Sequence, residues 1–266
     1  MSVKTMEDFE LHVRKMEFVY KKLKSVLDRD SLDYLMQARA YFHQEQRILL
    51  EELEIYKCTL PELSEEERTI FEEMGCFSEN GHFILEGRYL IPVYSPSGKL
   101  ITLIGWFNDY KKYITLPTKF FSKKVDWFNI ENALELSFNA YDGLVFAVEG
   151  IFDAYSLRSI GLPVVATMGA DVSKSKGELL KIFKKVVSIP DNDKTGKKAI
   201  YDRYRQWNLP HNSTYLDIRG VVTLGDGKSY PVKDVDRLVA WFQVEGVREM
   251  LLDVAKSNDK YYILNL

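Results

Sequence analysis

Short β-branched and apolar runs alternate with helix-like segments in the second half of the chain, and this alternation limits the possible folds most. The runs are LVFAV (144–148), PVVAT (163–167), KVVSIP (185–190) and STYLDI (213–218). Helices are predicted between them, from about Phe152, from Ser173, and over about Lys194 to Trp207. Such an order is typical of a parallel sheet covered by helices on both faces. Residues beyond the carboxyl ends of its strands are then the candidates for chemistry.

Acidic residues follow two of these predicted strands. Glu149 and Gly150 follow the first strand, with Asp153 in the next turn, and Asp191 and Asp193 follow the third. Carboxylates that meet in one crevice repel one another unless a cation lies among them. With oxygen ligands and no nearby His or Cys, the ion is predicted to be Mg²⁺ or Mn²⁺.

A third acidic pair lies in VKDVDRLVAWF, where Asp234 and Asp236 begin a predicted helix after the last of these strands. This pair either joins the acidic cluster or only caps the helix. Spacing alone leaves both interpretations open.

The first 80 residues are predicted to be helical. Apolar residues at steps of three and four over residues 6–28 form one stripe, a second helix runs from Asp30 and Ser31 to about Leu53, and the run Glu62 to Glu73 is a third. From Gly81 the period changes, and FILEGRYLIPVYS and KLITLIGWF, with PSG between them, predict an antiparallel pair of strands.

Residues 110–125 carry five lysines and no acid, interleaved with Tyr113, Phe120 and Phe121. Such a segment suits a phosphate backbone, although a solvated loop has the same composition. Across the whole chain 36 Lys and Arg oppose 39 Asp and Glu, for a net charge of −3. Nucleic-acid binding therefore requires a local basic patch, and a globally basic binder is excluded.

Composition excludes several other classes of protein. Hydrophobic residues make up 46% of the chain, which is too apolar for a disordered protein. Cys58 and Cys76 lie in no CxxC motif, and the four histidines are scattered, so neither a zinc ribbon nor a disulfide framework is expected. The sequence contains neither a signal-peptide pattern nor a long apolar stretch, so we expect a cytoplasmic protein without membrane contact.

The acidic motifs carry a family resemblance. VFAVEGIFDAYSLRSIGLPVVATMGA and VVSIPDNDKTGKKAI resemble the TOPRIM domain of bacterial-type primases, topoisomerases and some nucleases, whose signature is this EG and DxD pair. GRYLIPVYSPSGKLITLIGWF resembles the primase segment RxxFPIxDxxGxxxGFGGR. KKYITLPTKFFSKKVDWFNIENA and KDVDRLV are similar to the primase KYLNSPET and EDPDSLV segments. The resemblance covers about Gly81 to Val239 and is specific to the catalytic core of DnaG-type primases.

The resemblance implies an α/β protein with a helical N-terminal region (1–80), a small mixed α+β subdomain with the basic loop (81–142), a Rossmann-like TOPRIM parallel sheet flanked by helices (143–240), and a C-terminal helix and tail (241–266). It implies a nucleotidyltransferase that makes short RNA primers from ribonucleotides on a single-stranded DNA template. The implied metal ligands are Glu149, Asp191, Asp193, Asp234 and Asp236. The first three are the expected catalytic residues, with Glu149 either the general base or a ligand. The implied nucleic-acid or nucleotide contacts are Arg88, Lys112, Tyr113, Lys123, Asp153 and Lys197.

The chain departs from the family pattern in two respects. Trp106 stands where the family has an arginine, which removes a phosphate contact and is expected to leave a stacking surface. The chain is also expected to lack the family's zinc-binding and helicase-binding domains. A separate zinc-domain protein and a replicative helicase are therefore the expected partners, as would suit a phage or mobile-element system.

Two other functions fit the same acidic cluster. A TOPRIM nuclease would cleave phosphodiesters, and a non-catalytic replisome subunit would bind nucleic acid without chemistry. A type IA topoisomerase is disfavoured because no nucleophilic tyrosine can be singled out among the 16 present.

Overall fold

The computed structural model describes residues 3–38, 43–107, 112–169, 173–192, 213–223, 228–242, 244–257 and 259–266. The chain forms two compact units. The first unit comprises Met1–Ala40 and Ile48–Phe121, and the second comprises Tyr41–Arg47 and Ser122–Leu266. The predicted domain boundaries at residues 81, 143 and 241 stay predictions.

Helices and strands are numbered here in chain order within the described residues. The helices are α1 (Val3–Lys24), α2 (Ser31–Ala38), α3 (Gln44–Glu52), α4 (Glu65–Glu73), α5 (Ile130–Ala140), α6 (Ile151–Ser159), α7 (Lys174–Leu180), α8 (Val235–Trp241) and α9 (Val244–Lys256). The strands are β1 (Leu27–Asp28), β2 (Lys57–Cys58), β3 (Arg88–Tyr94), β4 (Leu100–Phe107), β5 (Lys112–Thr115), β6 (Leu144–Val148), β7 (Val164–Ala166), β8 (Lys185–Ser188), β9 (Thr214–Arg219), β10 (Val221–Thr223), β11 (Ser229–Pro231) and β12 (Tyr261–Asn265).

The first unit contains a five-stranded antiparallel sheet in the order β1-β2-β3-β4-β5. The long pair β3 and β4 confirms the predicted hairpin, and its turn is closed by a bond from Ser95 N to Lys99 O of 2.8 Å. Gly98 has φ +73° in this turn, a conformation that glycine adopts without steric cost. Helix α1 packs its apolar stripe into the core of this unit, with Met16, Val19 and Leu23 fully buried.

Two predicted helices begin or end differently in the structure. The helix expected over residues 30–53 is present as α2 and α3, with residues 39–42 outside the described part. His43 directly precedes α3 and caps its first turn, because His43 Nδ1 accepts the Gln46 N–H at 3.3 Å. The third helix begins at Glu65, where Ser64 and Glu67 form a reciprocal capping box.

The second unit contains the predicted parallel sheet. Its order is β12-β9-β8-β6-β7, and every pairing is parallel. Strands β6 to β9 match the predicted runs, whereas the edge strand β12, which lies beside β9, was not predicted. The helix expected over Lys194 to Trp207 lies outside the described residues. Among the helices that are described, none is long and apolar enough to cross a membrane.

Candidate active site

The carboxyl end of β6 carries Glu149 and Gly150, immediately before α6. The Glu149 carbonyl accepts the Met168 N–H at 3.0 Å, which ties this turn to the segment that follows β7. Met168 has φ +61°, a left-handed conformation that costs free energy for a side-chain-bearing residue. The two strand ends are therefore held together at the edge of the sheet where chemistry is expected.

Asp153 connects two turns of the site. One of its carboxylate oxygens accepts the Gly150 N–H at 3.1 Å, and the other accepts the Asp236 N–H at 3.1 Å. Position 150 has to be glycine in this arrangement, because a Cβ there would lie 2.4 Å from Asp153 Oδ2. Asp153 thus places the start of α6 beside the start of α8.

Asp236 is buried at the start of α8, and its side chain is held by two donors. The Ser156 hydroxyl donates to Asp236 Oδ1 at 2.5 Å, and Gln46 Nε2 donates to the same oxygen at 3.2 Å. Ser156 also accepts a bond from Gln46 Nε2 at 2.9 Å. The carboxylate of Asp236 therefore belongs to a network of buried hydrogen bonds.

Asp234 is the N-cap of α8, and its side chain accepts the Arg237 N–H at 2.9 Å. The Asp191 turn lies against the segment that precedes α8, because Asn192 N donates to Lys233 O at 2.5 Å. The Asn192 side-chain amide adds bonds to Ile218 O at 2.8 Å and Val232 O at 3.2 Å. These bonds bring Asp191, which follows β8, next to the acidic start of α8.

The neighbouring carboxylates affect the protonation of Asp153. Burial raises the pKa of Asp153 well above its usual value, and the charges of Asp191, Asp234 and Asp236 raise it further. A cation among such groups would relieve their repulsion, and oxygen-only donors fit a hard divalent ion. Among the described residues, no group of three or more Asp, Glu, His or Cys side chains is arranged to hold a metal ion. Asp193, one of the five predicted metal ligands, lies outside the described residues. Lys197, a predicted nucleotide contact, lies outside them as well.

The predicted nucleic-acid contacts of the first unit lie on its sheet. Arg88 Nε donates to Ile84 O at 3.0 Å, the guanidinium lies 5.5 Å from the Phe107 ring centroid, and burial lowers the pKa of Arg88. Tyr113 is half-buried on β5. Lys112 begins the same strand, and its side chain is outside the described atoms.

Trp106 does not form the stacking surface expected from the sequence. It lies on β4 between β3 and β5, is 2% exposed, and packs against Tyr89 at 5.6 Å and Tyr113 at 6.3 Å between ring centroids. The ring is flanked by the side chains of Tyr89 and Tyr113, which are its directly paired cross-strand neighbours on β3 and β5.

Lys123 belongs to the second unit, where a buried lysine holds its backbone. Lys176 Nζ donates to Lys123 O at 3.0 Å and to Thr167 O at 2.5 Å, and lies 4.9 Å from the Trp127 ring centroid. Burial lowers the pKa of Lys123. Lys176 thereby joins the end of the lysine-rich segment to the segment after β7.

Sequence reasoning missed Gln46, Ser156, Lys176 and Asn192. Ser156 had a signal, since it lies three residues after Asp153 and so on the same face of α6. Gln46 had none, because its partner Asp236 is 190 residues away in the sequence.

Comparison with known proteins identifies the fold. Residues 146–219 match the model of the Toprim-like family. The chain superposes on a structure described as the DnaG primase catalytic domain bound to single-stranded DNA with a TM-score of 0.67 and 19% identity, covering 92% of this chain and 78% of that one. The fold is that of a DnaG primase catalytic core. The predicted fold class and the resemblance to this family are both confirmed.

Other DnaG cores give the same result. The RNA polymerase domain of Mycobacterium tuberculosis DnaG matches with a TM-score of 0.66 and 15% identity, over 91% of this chain and 83% of that domain. The E. coli primase catalytic core matches with a TM-score of 0.65 and 20% identity, over 91% of this chain and 79% of that core.

Sequence similarity extends to a curated primase. The chain is 23% identical over 227 residues to the DNA primase of Mycoplasma genitalium, an alignment that covers 75% of this chain and 37% of that protein. The chain therefore spans just over a third of the length of that relative.

Proposed function

We propose that this chain is the catalytic core of a DNA primase, a nucleotidyltransferase that joins ribonucleotides into short primers on single-stranded DNA. The observation that carries the proposal is that hydrogen bonds join the Glu149 turn, the Asp191 turn and the start of α8 at the strand ends of a DnaG-type sheet. Asp153 links the Glu149 turn to the start of α8, and Asn192 links the Asp191 turn to the same region. An arrangement of this kind serves phosphoryl transfer, in which positioning and charge neutralisation supply most of the catalysis.

We propose that Glu149, Asp191, Asp193, Asp234 and Asp236 hold Mg²⁺ or Mn²⁺. Cations held there would polarise the α-phosphate, favour deprotonation of the attacking hydroxyl and neutralise the leaving pyrophosphate. The oxygen donors that this role needs are those of the acidic cluster. Glu149 directly follows β6. In this proposal it is either a ligand of the cation or the general base that takes the proton from the 3′ hydroxyl.

The proposed contacts to template and nucleotide are Arg88, Lys112, Tyr113, Lys123 and Lys197, and Asp153, the sixth residue of the predicted set, is proposed to act indirectly. The basic members would neutralise phosphates and make binding sensitive to salt. Tyr113 would offer an aromatic face for base stacking. Asp153 acts in this proposal through the backbone of the Gly150 turn, since its two oxygens already accept backbone N–H groups.

We propose that template-site choice and recruitment to the replication fork are supplied by a separate zinc-domain protein and a replicative helicase in the cytoplasm, as in a phage or mobile-element system. A purified chain that begins primers unaided at one defined trinucleotide would contradict this division of tasks.

Primer synthesis by the purified chain tests the central proposal. The assay contains single-stranded DNA, labelled ribonucleotides and Mg²⁺ or Mn²⁺, and compares the wild type with Glu149→Gln and Asp191→Ala. We expect short products from the wild type and a loss of about 100-fold or more in both variants, equivalent to about 2.7 kcal/mol. Asp253→Ala is the matched control, because Asp253 is an exposed carboxylate on α9 paired with Lys256.

Two results would contradict the primase proposal. Degradation of the template without nucleotides, abolished by the same two variants, would establish the nuclease instead. A chain that binds single-stranded DNA but catalyses no reaction, even with helicase and zinc-domain partners present, would be a non-catalytic subunit. Asp191→Ala would then leave DNA binding unchanged.

A further inference from the structure

We propose that Gln46 is a positioning residue that, together with Ser156, fixes the carboxylate of Asp236 for cation binding. The inference rests on the proposed function and extends it to a residue far from the acidic motifs in sequence. Gln46 lies near the start of α3, in the short segment that belongs to the second unit. It is separated by 106 residues from Phe152 and by 190 from Asp236, both of which it contacts.

Gln46 is completely buried, and its amide nitrogen meets three acceptors. Nε2 lies 2.9 Å from Ser156 Oγ, 3.2 Å from Asp236 Oδ1 and 3.4 Å from Phe152 O. The amide oxygen, Oε1, is buried and has no hydrogen-bond partner among the described residues. An unmade bond at Oε1 costs free energy, which the bonds of Nε2 must offset.

The three acceptors determine which way the amide faces. If the amide were turned over, its oxygen would face the Asp236 carboxylate and the Phe152 carbonyl. Neither of these acceptors could then form a hydrogen bond with it. A glutamate at position 46 would be worse, because it would bring a second negative charge to within about 3 Å of Asp236 in a buried site. The site therefore selects an uncharged donor of the length of glutamine.

The consequence for Asp236 is a fixed orientation. Its Oδ1 receives a 2.5 Å bond from Ser156 on α6 and the 3.2 Å bond from Gln46 on α3, while its backbone N–H is held by Asp153. Two donors from two helices leave the side chain little rotational freedom. Groups that hydrogen-bond to metal ligands orient them, and their removal weakens metal affinity or activity by about 10- to 100-fold.

The test measures binding of Mn²⁺ alone to the purified protein, by the electron paramagnetic resonance signal of free Mn²⁺, without nucleotide or DNA. The variants are Gln46→Met, Gln46→Glu and Ser156→Ala. The matched control is Gln44→Met, since Gln44 is exposed on the same helix. We expect about 10- to 100-fold weaker Mn²⁺ binding in the three variants, an unchanged value in the control, and unchanged affinity for single-stranded DNA in all four.

Further measurements separate a positioning role from a structural one. In primer synthesis the half-saturating Mn²⁺ concentration should rise in Gln46→Met and Ser156→Ala. Unchanged Mn²⁺ affinity in either folded variant would overturn the inference. A parallel loss of Mn²⁺ binding, DNA binding and cooperative unfolding would also overturn it, because it would indicate general loss of structure. Ser156→Ala decides the question if Gln46→Met does not fold.

Failure of the proposed function gives a different pattern. A wild-type chain that makes no primers, but whose Mn²⁺ affinity falls with Gln46→Met, would contradict the primase proposal and support the role of Gln46. Primer synthesis by the wild type, with normal Mn²⁺ affinity in both variants, would support the primase and overturn the role of Gln46.

Discussion

Gly150 is the residue at which the packing of the site is tightest. Its φ of −93° is open to any amino acid, so the requirement for glycine comes from space and not from backbone conformation. A Cβ on this residue would lie 2.4 Å from the carboxylate oxygen of Asp153 that accepts the Gly150 N–H. A side chain at position 150 would therefore displace the carboxylate that connects α6 with α8.

We predict that Gly150→Ala destabilises the protein by about 1–3 kcal/mol, because the methyl group overpacks the turn and separates Asp153 from its donor. The control is Gly246→Ala in α9, where a Cβ would meet nothing within 4 Å. There alanine should stabilise the helix by about 0.5–1 kcal/mol. Urea denaturation of both variants measures the difference, and shifts in the same direction would contradict the explanation.

Sequence patterns singled out acidic residues of the candidate site but not the residues that contact them. Glu149, Asp153 and Asp191 could be proposed because they lie just after β-branched runs, which is a local signal. Gln46 and Lys176 were not found, because nothing local distinguishes a buried glutamine or lysine from an exposed one on the same helix. Their roles depend on contacts between segments that are distant in sequence, and only the folded chain specifies these.

At the scale of elements, the parallel strands were predictable because each is a short apolar run buried on both faces. The edge strand β12 was not predictable, because its residues alternate between exposed and half-buried and so do not form a buried apolar run. Contacts with β9 define it. Tyr261 stacks on Tyr215 with ring centroids 5.1 Å apart and donates to the buried Asp217 at 2.9 Å.

The start of α4 shows how one residue sets the boundary of an element. The sequence places a helix in the acidic run from Glu62, and the helix begins at Glu65 because Ser64 caps it. Ser64 Oγ accepts the Glu67 N–H at 3.3 Å, and Glu67 Oε2 accepts the Ser64 N–H at 2.9 Å. Both bonds satisfy backbone donors that a helix leaves unpaired at its first turn.

We predict that Ser64→Ala lowers the free energy of unfolding by about 1 kcal/mol, since it removes the side-chain acceptor at the cap. Ser64→Asp retains an acceptor and should restore most of the loss. Urea denaturation followed by circular dichroism gives both values. Equal stability of Ser64→Ala and the wild type would show that the cap contributes nothing.

At the scale of the whole molecule, the two cysteines report on folding of the first unit. Cys58 and Cys76 are free, fully buried and part of the same apolar core. Burial raises the pKa of both thiols to about 12, and Cys58 Sγ also donates to Leu85 O at 3.3 Å. Since the thiolate is the reactive form, neither residue can react in the folded protein near neutral pH.

We predict that a thiol reagent at pH 8 labels neither cysteine in native buffer and labels both in concentrated urea, the denatured sample being the control. Rapid labelling of native protein at pH 8 would contradict the burial of the thiols.

The same pKa shifts make the free energy of unfolding depend on pH. A thiol near pKa 12 when folded and about 8.5 when unfolded binds more protons in the folded state between these values, so stability is full below about pH 8.5 and falls as pH rises above it. Replacing both cysteines with alanine should reduce this fall in the free energy of unfolding.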